Sequence, residues 1–288
     1  MIPVSLLSSY QYCPRKIFLE RVLKFIDIPR VVTLKGTLRH AAFDKLNKSE
    51  MEIIARATEK LYPKIEALYR KTVSTAIRQA IIDNKRTIIR LRLDSQELHS
   101  SVIKRLGPEI MARAKNVYDF MDKTGLVGED LWYELTPRIK SEYKVTSYSL
   151  GLSGVIDQVL VAGDILTPVE LKTGSVPKEG FWPGHKLQLA AYMMLLEDQF
   201  NIEINKGTIR YLDANEEKGN PISRDLILNP FLRDEVVQTR IKVEKLLGNS
   251  LPPDRIKNEK KCEKCALKDD CFDEMRVNKR LNDLNVNL

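Results

Sequence analysis

The sequence predicts an α/β protein, a mixed central sheet flanked by helices, with a helical insertion and a cysteine-bearing C-terminal region. Three observations carry that reading. Between residues 131 and 174 the segments LWYELTPRIKSEYKVTS, LSGVIDQVLVAG and ILTPVELKTG are rich in Val, Ile, Tyr and Thr and are separated by Gly and Asp turns, the mark of three consecutive strands. On both sides of this block, apolar residues recur at helical spacing. The four cysteines of the 288-residue chain lie at its two ends, Cys13 alone and Cys262, Cys265 and Cys271 together.

In chain order, GTLRHAAFDKL from Gly36 reads as a helix with Leu38, Ala41, Ala42 and Leu46 on its apolar side and His40 within it. From about residue 50 to 124 the pattern stays helical, with breaks expected at Pro63, at Asn84-Lys85 and at Gly107-Pro108. The three strands follow. After the loop GSVPKEGFWPG, the segment HKLQLAAYMMLLEDQF returns to helical spacing, and GTIRYLD and RDLILN read as further strands. A last helix from Pro230 to about Leu247 leads into the cysteine loop. The expected divisions are 1–49, an N-terminal segment with the first cysteine and the His-bearing helix; 50–124, the insertion; 125–250, the core; and 251–288, the cysteine region and tail.

A hydrophobic content of 43% is ample for a buried interior, and no apolar run approaches membrane-spanning length. The start MIPVSLLSSYQYCPRK lacks the cationic segment of a secretory leader, so a reducing, cytoplasmic compartment is expected and disulfides are not. The net charge is +8 and the pI near 9.2. Such a balance points to a polyanion, nucleic acid before membrane. Residues 51–123 hold 15 Lys plus Arg against 9 Asp plus Glu, which fits either a nucleic-acid face or a solvated helical surface.

The trio C-x2-C-x5-C with a distant Cys13 reads as one four-thiolate site that ties the chain ends together. Zinc and an iron-sulfur cluster both accept four cysteines, and spacing alone leaves the two open. In the middle of the chain, Asp157 closes one strand in GVIDQV, while Glu170 and Lys172 alternate on the next and project from one face. Carboxylates on adjacent strands suit Mg2+ or Mn2+, and a lysine beside them suits a developing phosphate charge. An ordinary cross-strand ion pair is the plainer alternative. His40 offers an imidazole to the same metal or is simply a helix-surface residue. Gln188 and Tyr192, four apart, share one helix face that can meet a nucleic-acid strand.

Helical His, strand Asp, Glu-x-Lys and helical Gln-x3-Tyr stand here in one order. With SSYQYCPRKIFLERV at one end and CEKCALKDDC at the other, that order resembles the RecB-like branch of the PD-(D/E)xK nuclease superfamily. Within it, the chain is most similar to the CRISPR-associated iron-sulfur exonucleases, the family numbered four among Cas proteins. The resemblance covers about residues 1–45 and 130–272, and the 50–124 stretch falls outside it.

The resemblance implies a restriction-endonuclease-like PD-(D/E)xK core. It implies a 4Fe-4S cluster on Cys13, Cys262, Cys265 and Cys271. It places Mg2+ or Mn2+ on His40, Asp157, Glu170 and the Leu171 backbone carbonyl, with Lys172 catalytic and Gln188 and Tyr192 along the DNA path. The implied activity is a metal-dependent DNA exonuclease, acting on single strands from 5′ ends and trimming prespacer ends beside CRISPR integrase proteins. Two other classes stay open: a RecB-like repair or mobile-element nuclease outside CRISPR, and an end-binding adaptor of the integrase with weak cleavage. The five lysines Lys257, Lys260, Lys261, Lys264 and Lys268 near the cysteines are candidates for steering a phosphate backbone, or for simple solubility. The residues leave self-association open.

Overall fold

A computed structural model describes residues 1–25, 31–172, 175–211 and 222–285. The short strand β1 (Ile2–Pro3) precedes helices α1 (Val4–Tyr12), α2 (Pro14–Arg21) and α3 (Val31–Lys48). A helical block follows: α4 (Glu50–Ala55), α5 (Tyr62–Asp83), α6 (Lys85–Arg90), α7 (Ser95–Thr124) and α8 (Gly128–Glu134). Then come β2 (Arg138–Ser147), β3 (Leu152–Ala162), β4 (Ile165–Lys172), α9 (Pro183–Phe200), β5 (Lys206–Tyr211), β6 (Ile222–Ile227) and α10 (Pro230–Leu247). Short helices α11 (Glu259–Glu263) and α12 (Lys268–Phe272) and the terminal α13 (Glu274–Asn285) close the described chain. No described helix is long and apolar enough to cross a membrane.

The sheet is mixed, in the order β1-β3-β4-β5-β6 with β2 on the remaining edge of β3. β3 is antiparallel to β2 and β4, while β4 and β5 are parallel and are joined through α9. β1 pairs with Leu152 and Ser153, whereas β4 pairs with Gln158–Ala162, so Gly154–Asp157 lie on that edge between the two.

Each face of the sheet has its own core. On one side α1, α9 and α10 bury Leu7, Leu189, Met193 and Val236 against Ile156, Ile209 and Tyr211. On the other, α3, α5 and α7 bury Leu38, Tyr69, Ile77 and Ile110 against Val169 and Leu171 of β4. The helices of residues 50–124 are therefore a cover for one sheet face, and their removal would expose β4. Buried charges bolt them down. Arg113 of α7 lies 3.0 Å from Glu50 and 2.9 Å from Glu109, and Glu109 also binds Arg210 of β5 at 3.0 Å and accepts from Gln158 of β3 at 2.9 Å. Burial opposes the charge on Glu109, yet Arg113 and Arg210 hold its carboxyl below the usual range.

Two expected boundaries shift. Leu131–Glu134, read as the start of the first strand, form α8 instead, because Leu131 and Leu135 sit one helical turn apart and both bury. The expected break at Gly107-Pro108 is absent, since α7 runs unbroken from Ser95 to Thr124. Its buried stripe of Val102, Leu106, Ile110, Ala114 and Val117 continues through Pro108, and that burial exceeds the roughly 3 kcal/mol cost of an interior proline. Asp94 caps this helix by accepting from Gln96 and Glu97 at 2.9 and 2.7 Å. The expected breaks at Pro63 and Asn84 fall at real helix ends. Thr173, Gly174, Leu212 and Asp213, at the ends of two expected strands, lie outside the described residues.

Candidate active site

The antiparallel register that pairs Gln158 with Val169 brings Asp157 of β3 beside Glu170 of β4. The backbone N–H of Leu171 donates to Asp157 Oδ2 at 2.7 Å, which fixes the Asp157 carboxylate against the neighbouring strand. Lys172, two residues past Glu170, places its Nζ 2.7 Å from Glu170 Oε1 and donates to Gln188 Oε1 at 2.8 Å. Gln188 in turn donates from Nε2 to the Tyr192 hydroxyl at 3.2 Å. Asp157, Glu170, Lys172, Gln188 and Tyr192 thus form one continuous cluster.

The ring of Tyr192 reaches that position because residue 154 has no side chain. A Cβ at Gly154 would lie 2.6 Å from Tyr192 Cε1. Farther along α9, Gly207 of β5 lets Leu189 and Met193 settle on the strand, where a Cβ would stand 3.0 and 3.1 Å from their side chains. Close glycine contacts of this kind set the height of α9 above the sheet, and with it the place of Gln188.

His40 arrives from the opposite layer on α3. Its Nδ1 lies 3.7 Å from Asp157 Oδ1 and 2.8 Å from Glu142 Oε1. Glu142, on β2, was not among the residues the sequence singled out. It is one carboxylate in a strand with no motif around it, and only the β2–β3 register places it opposite Asp157. The faint signal was a second acid, KSEYK, on a strand expected beside GVIDQV.

The electrostatics follow from burial and crowding. Asp157 is pushed up to about 8, first by burial and then by the adjacent Glu170 carboxylate. His40 is raised by its hydrogen bond to Glu142 and by Asp157, against the pull of its own burial. Burial and the nearby Glu170 carboxylate raise the Tyr192 phenol, which therefore stays protonated. One oxygen, Glu170 Oε2, is fully buried with no hydrogen-bond partner. A divalent cation relieves each of these features, by offsetting the carboxylate repulsion and giving the orphaned oxygen a partner, so the residues present fit such an ion. An open groove of about 760 Å3, lined by Thr33, Gly36, Thr37, Lys144 and Val155 among others, leads to His40 and Glu142.

The four cysteines come together where the N-terminal helices meet the C-terminal segment. All are unpaired and half-buried, and together they line one cavity. Cys13 sits in extended backbone between α1 and α2, Cys262 lies on α11, Cys265 follows it, and Cys271 lies on α12. Burial pushes the Cys13 thiol up, and Cys265 and Cys271 add to the rise, so the sulfurs feel one another. The chain ends are clamped there. Tyr12 donates to the Lys261 carbonyl at 2.8 Å, Arg15 donates to the Pro253 carbonyl at 2.8 Å, and Lys261 Nζ reaches the carbonyls of Gln11 and Tyr12 at 3.3 and 3.2 Å. Lys261 also lies over the Tyr12 ring, 5.2 Å from its centroid, so among the five loop lysines it acts as a clamp. Four thiols around one cavity are the donor set of a four-thiolate metal group, although no three of their Sγ atoms lie within 4.8 Å of one another.

Comparison with known proteins gives a consistent picture. The profile of the PD-(D/E)XK nuclease superfamily matches residues 2–272. The chain is 24% identical over 279 residues to "DNA replication ATP-dependent helicase/nuclease JHS1" of Arabidopsis thaliana, across 90% of this chain and 19% of that protein. It is 29% identical over 137 residues to a "CRISPR-associated exonuclease Cas4/endonuclease Cas1 fusion" of Myxococcus xanthus, across 46% of this chain and 23% of that protein. A fusion of the same description from Leptospira interrogans is 27% identical over 159 residues, across 51% and 28%. The chain spans between about a fifth and a little over a quarter of the length of these relatives.

Proposed function

The chain belongs to the PD-(D/E)XK nuclease superfamily and carries a nuclease domain of that type, and from that premise we propose that it is a divalent-metal-dependent deoxyribonuclease that trims single-stranded DNA ends. The observation that carries this reading is Lys172, whose ammonium is held at 2.7 Å from Glu170 and 2.8 Å from Gln188 beside the Asp157 and His40 pair. An ordinary surface ion pair would have no need of that second anchor.

In this reading His40, Asp157, Glu170 and the Leu171 backbone carbonyl hold Mg2+ or Mn2+. When bound, such a cation supplies charge for the scissile phosphate and lowers the pKa of a water. The protein's own groups do the rest. Lys172 keeps its ammonium toward the site, where it offsets the charge that builds on the phosphate during hydrolysis. Gln188 fixes the direction of that ammonium, and Tyr192 fixes Gln188, so the lysine meets the substrate already oriented. The groove along α3 and β2 takes the DNA strand, with Lys144 and the threonine hydroxyls as phosphate contacts.

The four cysteines hold a 4Fe-4S cluster that pins the N-terminal helices to the C-terminal loop. Zinc is the alternative to exclude. Two relatives named as Cas4/Cas1 fusions favour a role in trimming prespacer ends beside CRISPR integrase proteins, with 5′ to 3′ polarity by family resemblance. A replication or repair role is the second reading, favoured by the helicase/nuclease relative that matches 90% of this chain. Anaerobically purified protein given end-labelled single strands with Mn2+ tests the activity. Metal-dependent shortening supports it, and no cleavage by protein with a full cluster contradicts it.

A further inference from the structure

We propose that Glu142 is a direct ligand of the divalent cation, a fourth side chain completing the set with His40, Asp157 and Glu170. The inference rests on the metal-dependent reading above and goes beyond it, since neither the motif order nor the family pattern drew attention to this residue.

The backbone gives the first argument. The β2–β3 ladder pairs Arg138–Ser141 with Val161–Gln158 and Tyr143–Ser147 with Ile156–Leu152, and it skips Glu142 and Asp157. At that point Glu142 adopts φ +49°, a left-handed conformation that a glutamate in a strand takes only at a cost of about 1–3 kcal/mol. β3 is distorted at the same place. Residues two apart in a regular strand face one side, yet Ile156 joins the core under α9 while Gln158 reaches Glu109 of α7 across the opposite face. Both strands therefore re-aim one acidic side chain each, Glu142 and Asp157, at the same spot.

The side chains give the second. The nitrogen of His40 that faces Asp157 Oδ1 at 3.7 Å is the same Nδ1 that lies 2.8 Å from Glu142 Oε1. One ligand atom from each of the three residues falls within 4.8 Å of the others, a spacing that suits donors gathered about 2.0–2.6 Å around one hard cation. Had Glu142 served only to orient the imidazole, it would bind the ring nitrogen turned away from Asp157. Glu170 Oε2 is buried and unpartnered even though Lys172 sits on Oε1, an independent sign that this side of the carboxylate wants a donor or cation.

The test is calorimetric titration of the metal-free full chain with Mn2+ alone, without DNA. Glu142→Ala and Glu142→Gln are both expected to weaken Mn2+ binding by at least about 10-fold, the lower end for loss of even an outer partner of a metal site. Glu142→Ala should weaken it further in a His40→Ala background. Glu142→Asn covers the case in which a variant fails to fold, because asparagine accepts the left-handed backbone but is too short to reach His40. It should keep the unfolding midpoint of the metal-free protein and lose Mn2+ affinity. Wild-type affinity in Glu142→Gln, which still accepts from the imidazole, overturns direct ligation, and so does the absence of any further loss in the His40→Ala background. Those outcomes leave the nuclease reading standing, whereas wild-type protein that binds no Mn2+ removes both.

Discussion

Adding a single methyl group at Gly154 should disable the site from behind. In Gly154→Ala the new Cβ would stand 2.6 Å from Tyr192 Cε1, whereas carbon atoms in contact prefer about 3.5–4.0 Å, so the ring must retreat by about 1 Å. Tyr192 is buried at 3% exposure and cannot swing into solvent. Overpacking of this kind costs about 1–3 kcal/mol. The displacement passes along the chain from Tyr192 to Gln188 to Lys172, whose links are 3.2 and 2.8 Å. A 1 Å misplacement of a catalytic group lowers turnover by roughly 100-fold. Urea denaturation would read the stability, and cleavage of end-labelled DNA the rate. In a Tyr192→Leu background the obstructing Cε1 is gone, and Gly154→Ala should then cost close to nothing. An equal cost in both backgrounds, or full activity of Gly154→Ala alone, would show that the Tyr192 ring does not couple Gly154 to the site.

Arg113→Met should destabilise the fold by about 3–5 kcal/mol, because the buried Glu50 would lose its cation while Glu109 would keep Arg210; an unchanged urea midpoint would contradict this. Cys265→Ala should abolish visible iron-sulfur absorbance in anaerobically purified protein and lower the unfolding midpoint, and stoichiometric zinc without iron in the wild type would overturn the cluster. His185, held down to about 4 by burial and by Lys172, should give a stability that is full at neutral pH. As pH falls from about 6.5 toward 4, the unfolded chain takes up a proton that the folded chain refuses, so stability declines across that window. His185→Gln should flatten the decline in a pH series of urea midpoints, and an unaltered slope would count against it.

The parts legible in the sequence are those whose signal is local. GVIDQV and VELKTG announced two strands by their β-branched residues and the turns around them, and the antiparallel register that lays them side by side brings Asp157 next to Glu170, although the local break in β3 at Asp157 was not foreseen. Gln188 and Tyr192 announced themselves by helical spacing, and Pro230–Leu247 was bounded by a proline at one end and glycine at the other. What stayed hidden depends on distant partners. Glu142 becomes part of the site only through the register of β2 on β3 and a left-handed residue that nothing in KSEYK foretells. The passage of α7 through Pro108 was invisible because the burial that sustains it comes from α3 and α5. The 50–124 stretch read as a helical insertion because its helical spacing is local, whereas its buried ion network to Gln158 and Arg210 is written in single residues far apart. Much of the stretch's charge is satisfied at the surface, as in the pairs of Lys60 with Asp122 and Lys115 with Asp119.

The most direct test of the central claim compares wild type with Lys172→Ala on single-stranded DNA labelled at either end, in Mn2+ or Mg2+ and in EDTA, with DNA binding followed in parallel. Cleavage should need the metal and fall to background in Lys172→Ala, while DNA affinity stays within about threefold of wild type, since the lysine acts on the reacting phosphate rather than on the bound strand. Undiminished cleavage by a correctly folded Lys172→Ala protein would contradict that claim.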